Sequence, residues 1–356
     1  MKPSLRSTTF GYLPGGEPIE AWTLTGAGGL IAEVITYGAV VTRLLVPASG
    51  GGHRDVVLGF DNLEAYLSDR GYFGAVVGRV AGRITGASFQ LNGETFSLAA
   101  NDPPNHLHGG VAGFNTRVWK ASPESHTNGA PRLHLVYRSR DGEEGYPGET
   151  HTTITYSVTD DNLFLIETEA VTDRPTPFSL TFHHYFNLAG EGSGSIDEHE
   201  LQIHADRFVL TDRQMTLLGQ LASVEGRGND FRFPRRLGDA IPLLLGNHGD
   251  LYRVRESDGA GPELRPSHVA RLAHPGAGLA MDVLTTNTHL QLYTGVGLDG
   301  SAHGKSGTPY ARHAGVCLEC EGYPDGANSP EMGDIILRPP HARREITGYA
   351  FRSWLK

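Results

Sequence analysis

Three short segments place titratable side chains inside apolar runs. The first is Cys317-Leu318-Glu319-Cys320-Glu321. Val316, Cys317, Leu318 and Cys320 surround the first carboxylate there, and burying a carboxylate without a purpose is costly. On a strand, Glu319 and Glu321 share a face. The second is Thr181-Phe182-His183-His184-Tyr185-Phe186-Asn187. Strand geometry puts His183, Tyr185 and Asn187 on one face and turns His184 to the other. The third is Asn105-His106-Leu107-His108-Gly109-Gly110. Its glycines permit close backbone approach, and its histidines can donate to a ligand. Carboxylates and imidazoles are the usual general bases and acids near neutral pH. Each segment also has a plainer reading. A histidine beside two glycines can cap a turn, and a histidine in an aromatic strand can be a satisfied core residue.

Such residues need a scaffold, and the chain outlines one. Short alternating segments recur: Leu30 to Tyr37, Val40 to Val46, His151 to Val158, Leu163 to Val171, Leu279 to Thr285, His289 to Thr294 and Asp334 to Arg338. They are rich in Val, Ile, Thr and Tyr, as half-buried pleated surfaces prefer. Asn92-Gly93 between two such runs signals a hairpin. The 47 glycines and 21 prolines punctuate many turns. Helical periodicity is scarce, with Asn62 to Leu67 the best candidate for one or two turns. Glu191 to Gly194 and Asp258 to Pro266 read as surface loops. No repeat of fixed period points to a propeller, and no linker divides the chain. The expectation is an all-β sandwich or barrel, residues 1–356 forming one domain.

Composition narrows the function classes. The formal net charge is −10, from 30 basic and 40 acidic residues. Phosphate-binding surfaces need clustered Lys and Arg. The Arg235-Arg236 and Arg343-Arg344 pairs are isolated and read as solvated faces, so no nucleic-acid partner is expected. No apolar run is long enough to span a bilayer, and Met1 to Phe10 lacks the apolar core of a signal peptide. A cytoplasmic protein is expected, without a membrane partner. Cys317 and Cys320 form a C-x-x-C, but residues three apart on a strand point to opposite faces, too far to bridge. His106-x-His108 with a distant Glu resembles a cupin-like metal set, because imidazole and carboxylate suit several metals. That spacing is not specific.

Five ordered motifs together carry more information than any one. They are DVVLGFDNLEAY followed by YFGAVVGRVAGRI, NHLHGGVAGFNTRVW, LTFHHYFNL, LQLYTGVGLDG and GVCLECEGYPDGAN. From about Gly38 to Arg338 they resemble the aldose 1-epimerases, also called galactose mutarotases. The resemblance implies a large antiparallel β-sandwich, a galactose mutarotase-like supersandwich with few short helices and an open sugar cleft. It implies Glu319 as general base and His183 as general acid. It also implies sugar contacts from Arg83, His108, Gln291 and Asp250, the last in the altered context NHGDLY. The chain departs from the family pattern at Gly82 (usually Asn), Phe182 (usually Asn), Glu321 (usually Gln) and Val296-Gly297 (often Asn-Phe). These departures bear on which sugar is preferred.

The implied chemistry interconverts the α and β anomers of free aldoses such as glucose, galactose or a pentose. A base takes the O1 proton and an acid protonates the ring oxygen; the ring opens, rotates about C1–C2 and recloses. An imidazolium with a pKa near neutrality suits the acid, and the pair is expected on opposite sides of one pyranose. No metal, nucleotide or other cofactor is required. The expected partner is a monosaccharide, bound by a monomer or homodimer. Two rivals share the residues. A two-carboxylate glycosidase needs a second carboxylate across the sugar, and a non-catalytic sugar-binding module could use the same fold.

Overall fold

The alternating segments fold as strands, with small shifts at their ends. In the computed structural model, which describes residues 1–48, 50–124, 129–255 and 264–354, strands run Leu279–Thr285, Thr150–Val158, Leu163–Thr172 and Val41–Pro47. The Asp334 to Arg338 run yields only Ile336–Leu337, because the Asp334 carboxylate accepts the Ile336 N–H at 2.8 Å and turns the chain. Asn92 and Gly93 both adopt positive φ, 53° and 84°, and join Ser88–Leu91 to Glu94–Ser97 as an antiparallel hairpin. The α-helix Leu63–Ser68 starts where Asn62 caps it, its side chain accepting the Ala65 N–H at 2.9 Å. Leu237–Ala240 adds a second single-turn helix. The loop expected from Asp258 to Pro266 lies outside the described residues up to position 263.

The architecture is all-β and antiparallel, as expected. A nine-stranded antiparallel sheet forms its backbone. The Arg343–Ser353 strand pairs with both Leu163–Thr172 and Leu279–Thr285, tying the two halves of the sequence together. A five-stranded sheet of Leu217–Ser223, Arg207–Thr211, Leu251–Arg253, His289–Tyr293 and Cys317–Glu321 carries Gln291, Glu319 and Glu321. One apolar cluster extends from Leu24 to Phe351 and includes Leu318 and Cys320. Each fully buried Leu or Ile there contributes about 1.5–3 kcal/mol, which fixes the inner face of the Cys317–Glu321 strand. Alternation then turns Glu319 and Glu321 the other way. Both cysteines are free, with Cys317 in a different apolar cluster from Cys320. No helix among the described residues is long and apolar enough to cross a membrane.

Candidate active site

Cross-strand register assembles the floor of a cleft. Gln291 pairs with Glu319 on one side and Leu251 on the other, so their side chains emerge on one face. The cleft has a volume of about 400 Å³, ample for a small polar ligand. Arg83, His108, His183, Asp250, Gln291 and Glu319 all line it, and Glu321 joins them. Elements far apart in sequence therefore converge on one place.

His108 reaches the cleft through a tight loop. A Cβ on Gly109 would meet the Gly78 carbonyl oxygen at 1.9 Å, and φ there is +83°, so only glycine fits. The Gly82 N–H donates to His108 Nδ1 at 3.1 Å. With that lone pair occupied, the neutral ring carries its proton on Nε2. Burial holds the His108 pKa well below its ordinary value, so the ring is a neutral, oriented N–H donor.

His183 and Glu319 form the centre. His183 Nε2 lies 3.7 Å from Glu319 Oε1, and the two residues are only 4% and 2% exposed. Tyr185 and Tyr72 flank the imidazole, with ring centroids 5.0 and 5.7 Å away. Burial lowers the His183 pKa to about 4. Burial raises Glu319 to about 8, with Arg83 pulling the other way. Glu321 is raised well above the carboxylate range by burial and then by the charge of Glu319. Against the near-neutral imidazole expected for His183, burial disfavours the imidazolium, and the buried pair favours its uncharged form with the proton on Glu319. The expected placement on opposite sides of a pyranose is corrected too, since the groups are neighbours. O1 and the ring oxygen are both bonded to C1, so neighbouring groups can serve both.

Glu319 Oε2 and Glu321 Oε2 are buried with no hydrogen-bond partner among the described residues. Buried polar atoms rarely stay unpaired without a role. Elsewhere the cleft is held firmly. Arg83 Nε donates to Asp102 Oδ2 at 2.7 Å, Asn229 Nδ2 to Asp250 Oδ2 at 2.9 Å, and Gln291 Nε2 to the Leu292 carbonyl at 2.6 Å. The Asn229 bond lowers the Asp250 pKa, but burial outweighs it.

Some look-alike residues are structural. His106 is fully buried, its Nδ1 2.8 Å from the Ala99 carbonyl and its Nε2 2.8 Å from the Tyr146 hydroxyl. The cupin-like set therefore does not form. His108, His183 and Glu319 approach one another within 4.8 Å instead, but a His108 Nε2 that carries a proton has no lone pair for a metal. Asn187 donates to the Gly194 and Ala314 carbonyls rather than facing the cleft, because regular pairing ends at Phe182. Phe182 stacks on His184 in the core and is no cleft residue. Gly82 and Glu321 do meet: a Cβ on Gly82 would lie 3.3 Å from Glu321 Oε1 and 2.5 Å from the Pro324 ring. Two departures from the family pattern thus share one corner. Tyr72, His248 and Tyr293 also line the cleft and were not singled out as site residues. Tyr293 shares the Gln291 face by alternation, a signal present in the sequence; Tyr72 sits at positive φ, 58°, which sequence does not reveal.

Comparison with known proteins shows the family. The family described as Aldose 1-epimerase matches residues 20–350. Galactose mutarotase from Bos taurus is 39% identical over 354 residues, covering 98% of each chain. Aldose 1-epimerase from Escherichia coli K12 is 32% identical, covering 95% of this chain and 96% of the other. The crystal structure of an aldose epimerase homologue from C. elegans superposes with a TM-score of 0.84 at 26% identity, covering 99% and 100%.

Proposed function

Since the chain belongs to the aldose 1-epimerase family and is a carbohydrate isomerase, we propose that Glu319 and His183 open and reclose the ring of a free aldose. Glucose, galactose and pentoses are the candidate sugars. Glu319 takes the proton from O1. The C1–O1 bond becomes a carbonyl, the C1–O5 bond breaks, and its electron pair goes to O5. His183 supplies the proton there. Rotation about C1–C2 presents the other carbonyl face, and both transfers reverse. Arg83, His108, Asp250 and Gln291 hold the hydroxyls by directed hydrogen bonds.

The observation that carries this reading is the buried pair at 3.7 Å with Glu319 Oε2 unpartnered in the cleft. One proton is shared between the two groups throughout. Burial favours the uncharged form, a protonated Glu319 with a neutral His183. That distribution is the one the pair holds after ring opening. Ring opening starts from the other form, a carboxylate beside an imidazolium, and sugar hydroxyls bonding to the bare carboxylate oxygen stabilise it. The two apparent pKa values then belong to the pair rather than to either residue. His183→Asn should lower turnover by on the order of 10²–10⁴, while EDTA should leave the wild-type rate unchanged. Loss of activity on chelation with recovery on adding a metal would favour a metal centre instead.

A further inference from the structure

One strand meets both nitrogens of the His183 ring. Glu319 Oε1 lies 3.7 Å from Nε2, and Cys317 Sγ lies 3.6 Å from Nδ1. Cys317 is completely buried and stands two residues before Glu319 on the same strand face. The ring's own carbonyl is a second acceptor beside the imidazole, with one of its two lone pairs taken by the Gly74 N–H at 3.0 Å.

An imidazole that gives and recovers a proton at Nε2 must keep the other proton on Nδ1. A mobile Nδ1–H would let the neutral ring flip to the wrong tautomer, with a proton on Nε2 where a lone pair is needed for ring closure. We propose that Cys317 is a positioning residue whose sulfur accepts the Nδ1–H of His183 and so reserves Nε2 for the sugar. Sulfur is a weak, neutral acceptor. It orients the ring without fixing its charge, whereas a carboxylate there would hold the ring cationic and weaken it as an acid. Burial raises the Cys317 pKa well above that of a free thiol, which keeps the sulfur uncharged. The proposal rests on His183 being the acid.

The test is the tautomer of the neutral ring. Protein labelled with ¹⁵N-histidine is examined by long-range ¹H–¹⁵N correlation at pH 7, the His183 signals assigned by their loss in His183→Asn. The expected wild-type state is the Nδ1–H tautomer. Cys317→Ala should mix the tautomers and lower kcat by on the order of tenfold with KM nearly unchanged. Cys317→Ser keeps an acceptor and should recover the tautomer and most of kcat. A wild-type ring protonated on Nε2 overturns the proposal. So does a Cys317→Ala protein with unaltered tautomer and turnover, or equal losses in both variants with the tautomer unmoved, which would mark a packing role. Full turnover in His183→Asn would instead overturn the assignment of the acid, whatever the tautomer shows.

Discussion

Two of the buried acid–base pairs among the described residues have different surroundings. Lys305 Nζ reaches the Thr42 and Val57 carbonyls at 2.7 and 2.8 Å and Asp55 Oδ2 at 2.8 Å. Those are all the donors an ammonium has. Asp55 Oδ1 in turn accepts the Leu44 N–H at 3.1 Å. That pair is in direct contact, 2.8 Å between Nζ and Oδ2, and does not line the cleft. In the cleft, Glu319 and His183 stand 3.7 Å apart, beyond a good hydrogen bond, and one carboxylate oxygen has no partner. Burial alone does not separate a structural pair from a reactive one, and neither does an oxygen short of a hydrogen bond, which Asp55 Oδ2 shares with Glu319 Oε2. Opening on the cleft does.

The comparison can be broken at either end. Lys305→Met leaves Asp55 with only the partly exposed Arg43 guanidinium, 3.7 Å away, and should destabilise the fold by about 3 kcal/mol. Turnover per folded molecule should stay within about twofold, because Lys305 does not line the cleft. Urea unfolding and kcat on the same preparation check this; a large kcat loss without destabilisation would merge the two sites.

A smaller effect concerns the sugar. Gly82, Val296 and Gly297 line the cleft, where the family pattern usually has Asn at the first and often Asn-Phe at the other two. Fewer contacts should discriminate among hydroxyl patterns, so kcat/KM for D-galactose should not exceed that for glucose or a pentose by tenfold (about 1.4 kcal/mol). A survey of free aldoses decides it, and a tenfold galactose preference contradicts it.

The smallest effect is on pH. The pair works with one proton between its members, so kcat/KM rises with pH as the second proton leaves and falls as the last one does. Burial raises Glu319 to about 8 and Glu321 well above the carboxylate range, so Glu321 stays protonated and uncharged across the working range. Glu321→Gln replaces one neutral neighbour by another and should leave both limbs in place. A limb displaced by the substitution, measured from pH 4 to 9 at fixed ionic strength, would show that Glu321 tunes the pair by its charge.

How far these sites were legible depends on what controls each residue. Strand alternation is local, so the common face of Glu319 and Glu321 and the opposed faces of His183 and His184 could be read directly. Asn187 escaped that logic because pairing ends at Phe182 and the chain then turns into the core. His106 and His108 are equally plausible on paper. Only the folded Tyr146 and Ala99 partners absorb the former. The buried lysine at Lys305 gave no sequence signal, since its oxygen partners come from residues 42, 55 and 57. The pKa inversion in the cleft was also invisible, because it arises from tyrosines and strands assembled around the pair.

Glu319→Gln tests the central claim most directly. The unfolded chain ionises Glu319 at its ordinary pKa, while the folded protein keeps the proton up to about pH 8. Wild-type stability therefore falls as pH rises between those values, and the amide removes that penalty. At pH 7 the variant should melt at the same temperature as the wild type or higher, and should still bind sugar. Its kcat for freshly dissolved α-glucose, followed by polarimetry, should drop by on the order of 10²–10⁴. Near-normal mutarotation by a stable, sugar-binding Glu319→Gln protein would contradict the account.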